Sequence, residues 1–225
     1  MKFIISLTLL LFVFTNLNAQ DTNWSTSFDI GFANANGSFT PNYSASELNN
    51  LTGSFGVRYM FDSRRYYLRP YGIELKGGFT NLSGDSGSEP FETSVYHITL
   101  NGVIDVQDAF KIDDRDWPYG LNLYTNLGVG AAHYTFSGDA VYSDISDGYI
   151  LDGDDLITLN LGITPEFQVS RELAISLNFT YSMFASPDFT FDGNQSVQNA
   201  GVSDFDPTMF RATFGITYYI FSGYR

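Results

Sequence analysis

Eight times between Trp24 and Phe221 the chain places large apolar residues at every second position, with small or polar residues between them. FRATFGITYYIF, Phe210 to Phe221, shows the pattern plainly. Phe210, Ala212, Phe214, Ile216, Tyr218 and Ile220 alternate with Arg211, Thr213, Gly215, Thr217 and Tyr219. A period of two belongs to a β-strand with unlike faces. The other seven segments run near Trp24 to Ala33, Leu51 to Phe61, Tyr71 to Phe79, Tyr96 to Asp105, Leu121 to Ala131, Ile157 to Val169 and Leu173 to Met183. No stretch after the N-terminal segment sustains a helical period, and the β-branched residues and glycines agree with strands.

The connections should alternate in length. Asn34 to Asn50, a polar loop around Gly84 to Pro90, the acidic Ser137 to Asp155 and Ala185 to Pro207 lie at one end. At the other end lie Asp62 to Leu68, Ser170-Arg171-Glu172 and a longer Asp108 to Pro118. Odd-numbered connections are therefore expected to be long and two of the three even-numbered ones short, with Asp108 to Pro118 as the exception.

Ahead of the strands, Met1-Lys2 is a basic start, Phe3 to Phe14 is apolar, and Thr15 to Ala19 ends in a small residue. That order predicts a secretory signal peptide over residues 1–19, cleaved after Ala19, with a barrel domain over 20–225. The chain has no cysteine. This excludes disulfides, thiolate metal sites, a cysteine nucleophile and a lipidated cysteine at the cut.

Which face meets water decides between two barrels. Only 16% of residues are charged while 17% are aromatic, against about 25% charged in a soluble domain. The apolar face carries Phe, Tyr, Leu or Ile at nearly every position, which would overfill the interior of an eight-stranded barrel. The other face is Gly, Ser, Thr and Asn with a few charges, which suits a narrow polar lumen.

Aromatic residues gather at both strand ends. Trp24, Tyr59, Tyr66, Tyr67, Tyr71, Trp117, Tyr119 and Tyr218 mark the short-turn end. Phe32, Phe79, Tyr96, Tyr181 and Phe210 mark the other, as two interfacial girdles would. Lipid cannot satisfy backbone groups, so the strands must close on themselves. The expected fold is all-β: an eight-stranded antiparallel up-and-down transmembrane β-barrel, with the last strand, which begins at Phe210, pairing back to the strand near Trp24.

The segments TSFDIGFANA, YTNLGVGAAHY, LNLGITPEFQVSRELAISLNFTYS and FRATFGITYYIF resemble the small outer-membrane barrels of the OmpA/OmpX type. The resemblance implies a monomer in the outer membrane with short periplasmic turns and long extracellular loops. It also implies contact with outer-membrane lipid and lipopolysaccharide, and insertion by the barrel-assembly machinery, which would read an aromatic-ended last strand at Phe221. The tail Ser222-Gly223-Tyr224-Arg225 departs from that ending. It holds no peptidoglycan-binding domain, so anchoring to the cell wall is not expected.

Six charges fall on the inward face: Asp29, Arg58, Glu74, Lys76, Glu166 and Arg211. Buried charges need partners, so a structural network centred on Arg58 and Glu74 is expected to fill the lumen. A narrow gated pore is the alternative.

Some small outer-membrane barrels modify lipid A, one family with a His and a Ser close together on the lipid-facing side. His97 and His133 stand here in YHIT and AHYT. With no paired nucleophile, no catalytic residue is expected. The acidic segment lacks an EF-hand spacing: Asp147 before Gly148 fits, but Ile145 does not. No metal or cofactor site is expected. The net charge of −14 argues against nucleic acid as a partner. The expected function is a structural, surface-exposed barrel. A loop-mediated adhesin or partner-binding barrel is the second reading, and a soluble ligand-binding barrel the third.

Overall fold

The computed structural model describes residues 24–36, 50–61, 70–85, 90–113, 115, 117–137, 155–185 and 208–220. The expected signal peptide, Tyr66, Tyr67, the acidic segment ahead of Asp155, and Phe221 with its tail lie outside the described residues. The elements are β1 (Trp24–Asn36), β2 (Leu51–Met60), β3 (Tyr71–Asp85), β4 (Pro90–Asp105), a short helix α1 (Val106–Phe110), β5 (Leu121–Ser137), β6 (Asp155–Gln168), β7 (Leu173–Ala185) and β8 (Thr208–Tyr219).

The strands form one closed barrel in sequence order. Each is antiparallel to the next, and β8 returns to β1 with Phe28 opposite Ile216 and Ile30 opposite Phe214. Closure leaves no free edge along the shared height of the barrel. It also fixes the faces, because a slip of one residue would turn every side chain around.

Three strands run further than their apolar alternation predicts. Strand β3 continues to Asp85, β4 begins at Pro90 and β5 extends to Ser137. The third connection is therefore only residues 86–89, not the long loop expected around Gly84 to Pro90.

The reason is a change of phase. Up to Phe79 the large apolar residues of β3 point outward; beyond it Leu82 points inward and Asn81 and Ser83 outward. Val95 on β4 and Tyr134 on β5 are likewise buried, while Ser94 and His133 take the outer face. Above the girdle of Phe32, Phe79, Tyr96, Tyr181 and Phe210 the outside is polar and the inside apolar, as in a barrel standing in water. Below it the order is reversed. On β7 the well-exposed large apolar residues run from Leu173 to Tyr181. That is about 26 Å of strand at ~3.3 Å per residue, or about 20 Å of height at a tilt of ~40°. The height approaches the ~25 Å apolar band of outer-membrane barrels.

At the turn end, α1 occupies the fourth connection. Asp105 caps it, its carboxylate accepting the Asp108 amide at 3.3 Å, and Lys111 closes it in the left-handed region at φ 52°. Gly120 (φ 77°) makes the turn into β5, and its carbonyl accepts the Gln168 amide at 2.7 Å. At the opposite end Asn50 ties the tops of three strands together. Its carbonyl accepts the Ala33 amide and its side-chain oxygen the Ser83 amide, both at 2.9 Å.

The β6–β7 ladder lapses once. Pairing runs to Ile163 opposite Phe179 and resumes at Glu166 opposite Ser176. Pro165 has no N–H to donate there. Replacing it with Val is expected to close the ladder and stabilise the folded barrel by about 1 kcal/mol. Urea unfolding from vesicles would read this, together with slowed amide exchange at residues 164–166. No slowing would mean that the strands are held apart for another reason.

Candidate functional site

The site to weigh is the lumen, because the chain concentrates its buried chemistry there. Asp29, Arg58, Glu74, Glu166 and Arg211 are buried inward-facing residues of β1, β2, β3, β6 and β8, and Lys76 of β3 joins them. They form separate groups stacked along the barrel axis, not one network centred on Arg58 and Glu74.

Nearest the turn end, Arg58 reaches across the lumen to Glu166 with two parallel bonds, 2.9 and 3.1 Å. Its Nε donates to the Ser25 hydroxyl at 3.2 Å, and its guanidinium lies 4.1 Å from the Tyr124 ring centre. Glu166 also accepts from the Tyr219 phenol at 2.6 Å and the Thr217 hydroxyl at 3.3 Å. Both charges are thus paired bidentately and their remaining positions are largely used, as a buried ion pair requires.

Glu74 is the register partner of Arg58 across β2 and β3, yet it is not its ion partner. Arginine's long stem and planar fork find a two-oxygen acceptor on the opposite wall. Glu74 instead accepts from Asn101 at 3.3 Å.

At mid-height Lys76 pairs with Asp29 at 2.9 Å. Asp29 also accepts from Asn178 (2.6 Å), Ser54 (3.2 Å) and Ser176 (3.5 Å). Nearer the loop end Arg211 donates to Ser182 at 3.1 Å and to Asn160 at 3.5 Å. Its Nη1 stands against both ring nitrogens of His97, where a neutral imidazole accepts.

A polar chamber remains between these groups, lined by Glu74, Lys76, Asn101, Asn126 and Arg211 among others. Its cavity volume is about 20 Å³, room for one or two water molecules. Arg211 Nε and Asn101 Oδ1, buried without protein partners, border it.

On the loop side of Arg211 lies a buried apolar cluster of Ala33, Leu82, Val95, Ala132, Tyr134, Leu156, Phe184 and Met209. The sequence reading had taken the whole inward face as polar. The swap in phase at Leu82, Tyr134 and Phe184 was the available signal. His97, Tyr124 and Tyr219 also face inward and take part in the ion clusters, which nothing in their local sequence reveals. His97 sits inside the barrel, whereas His133 faces outward on β5. Among the described residues no group of three His, Asp or Glu could hold a metal ion.

The closed sheet, its apolar outer band and its charge-paired interior define a transmembrane β-barrel of the eight-stranded up-and-down kind. Solved structures place it more narrowly, with the fold of the small outer-membrane barrels. A major outer membrane protein of Thermus thermophilus is similar over 88% of this chain and 99% of its own, at TM-score 0.52 and 12% identity. Neisserial surface protein A is similar over 88% of this chain and 97% of its own, at TM-score 0.50 and 11% identity. No family model and no curated protein sequence matches the chain. The fold is the one that the OmpA/OmpX-type resemblance implied.

Proposed function

We propose that the chain is an integral barrel of the outer membrane, exported behind a cleaved signal peptide and inserted by the barrel-assembly machinery. Its lumen carries no continuous water path, and its working surface is the loop end. The observation that supports this reading is double closure of the lumen. The Arg58–Glu166 cluster crosses it near the turn end, and the apolar cluster around Tyr134 and Phe184 fills it near the loop end.

The barrel is a monomer in contact with lipid and lipopolysaccharide, and its role is structural rather than enzymatic. His97 supports the latter point, since its ring lies against Arg211 inside the barrel and does not meet lipid. In planar bilayers the purified protein is expected to give no large, stable openings. Openings of constant, sizeable conductance would overturn the closed lumen.

A second reading, that of an adhesin or partner-binding barrel, is favoured by one feature. Strands β3, β4 and β5 rise past the aromatic girdle and present Asn81, Ser83, Ser94 and Thr135 on their outer face. If that surface binds a partner, shortening residues 81–94 abolishes binding by whole cells while the folded barrel persists. Unchanged binding would remove this reading.

A further inference from the structure

Two of the six luminal charges touch no charge of opposite sign. Arg58 is paired with Glu166, and Lys76 with Asp29. Among the described residues, Glu74 accepts a hydrogen bond only from Asn101, at 3.3 Å, and Arg211 bonds only to His97, Asn160 and Ser182. Glu74 and Arg211 are each only 8% exposed, where a charge without a counter-charge is costly. Both line the same polar chamber.

The chamber is also bordered by one spare donor and one spare acceptor. Arg211 Nε and Asn101 Oδ1 are buried, and neither has a protein partner. The rest of each side chain is committed. The Arg211 fork holds His97 of β4, Asn160 of β6 and Ser182 of β7. The Asn101 amide nitrogen donates to Glu74 and to Thr99, each at 3.3 Å. Neither side chain can turn its spare atom elsewhere without giving up those bonds.

We infer that the chamber is a binding site for internal water, and that this water ties Arg211 to Glu74 across the lumen. Water both accepts and donates. It can take the Arg211 Nε–H and give its own protons to Asn101 Oδ1 and the Glu74 carboxylate. A cavity of about 20 Å³ with several polar walls meets what such a water requires. An ion fits worse. Asp29, Glu74 and Glu166 already balance Arg58, Lys76 and Arg211, so an added ion would leave the buried set charged. An anion would also face Glu74 and the Asn101 oxygen, and a cation would face Lys76 and Arg211. The inference rests on the closed-lumen reading, because the Arg58–Glu166 pair on one side and the apolar cluster on the other would hold the water in place.

The isotope-labelled full chain is folded into phospholipid nanodiscs, and the Arg211 Nε–H proton is followed by NMR. A cross-peak to water is expected, with opposite signs in the NOE and rotating-frame experiments. Contact with a long-held water gives that pair of signs, and hydrogen exchange does not. Two variants fill the chamber from different strands, Asn101→Leu on β4 and Thr180→Ile on β7. In either one that folds, judged by heat-modifiable migration on gels, the cross-peak should be lost.

No contact with water at Arg211 Nε–H in the parent protein would overturn the inference. So would a cross-peak that survives in a filled variant, since it would then be relayed from nearby hydroxyls. An Arg211 signal that shifts when gluconate replaces chloride, or choline replaces sodium, would overturn it too, because the occupant would be an ion. A rotating-frame peak with an NOE near zero would mark water renewed as fast as at a surface, and would instead bring down the closed lumen itself.

Discussion

Arg58→Leu should destabilise the barrel by about 3–5 kcal/mol, seen as a lower urea midpoint for protein folded in vesicles. The substitution leaves Glu166 buried at 1% exposure with only the Tyr219 and Thr217 hydroxyls donating to it. Two hydroxyl bonds do not replace a bidentate guanidinium at a carboxylate this deeply buried. The cost comes mainly from the orphaned carboxylate, not from the lost attraction. The double variant Arg58→Leu/Glu166→Leu should therefore recover more than half of the loss. A single variant within about 1 kcal/mol of the parent would mean that the pair is well hydrated, and the turn-end closure of the lumen would fail with it.

Leu100→Arg has a comparable effect for a different reason. Leu100 lies on the outer face of β4, between Leu75 and Val129 in register, near the middle of the apolar band. An arginine at the bilayer midplane costs about 2–4 kcal/mol, falling to about 0–1 near the interface. Ser94 shares that face of β4, on the loop side of Tyr96, and Ser94→Arg should cost almost nothing. The contrast between the two carries the test. In a soluble barrel both positions would face water, and both substitutions would be nearly silent. Equal urea midpoints for the two variants would therefore remove the lipid from the outer face.

The strand faces were legible because a period of two leaves little freedom. Once Phe210 and Phe214 point outward, Arg211 and Thr213 must point inward. The same logic put the six luminal charges on the inner face. Which charge meets which was not legible. Strand neighbours such as Arg58 and Glu74 are close in register, but a barrel eight strands round brings β2 across from β6. Only the closed curvature shows that Glu166 is within reach of Arg58.

The apolar cluster was missed for a related reason. Leu82, Tyr134 and Phe184 follow segments whose large residues point outward, so their opposite phase reads as the end of a strand. It marks instead the level at which the outer medium changes. The setting of His97 was not legible either, because its partner, Arg211, comes from a strand far away in sequence.

The loop-end cluster draws one residue or more from every strand except β2. No partial set of strands can assemble it, so it condenses only when the seam between β1 and β8 shuts. It therefore works as a clasp. Any fraying of that seam must also pull Ala33 and Met209 out of their buried apolar contact, so the seam and the cluster can only open together.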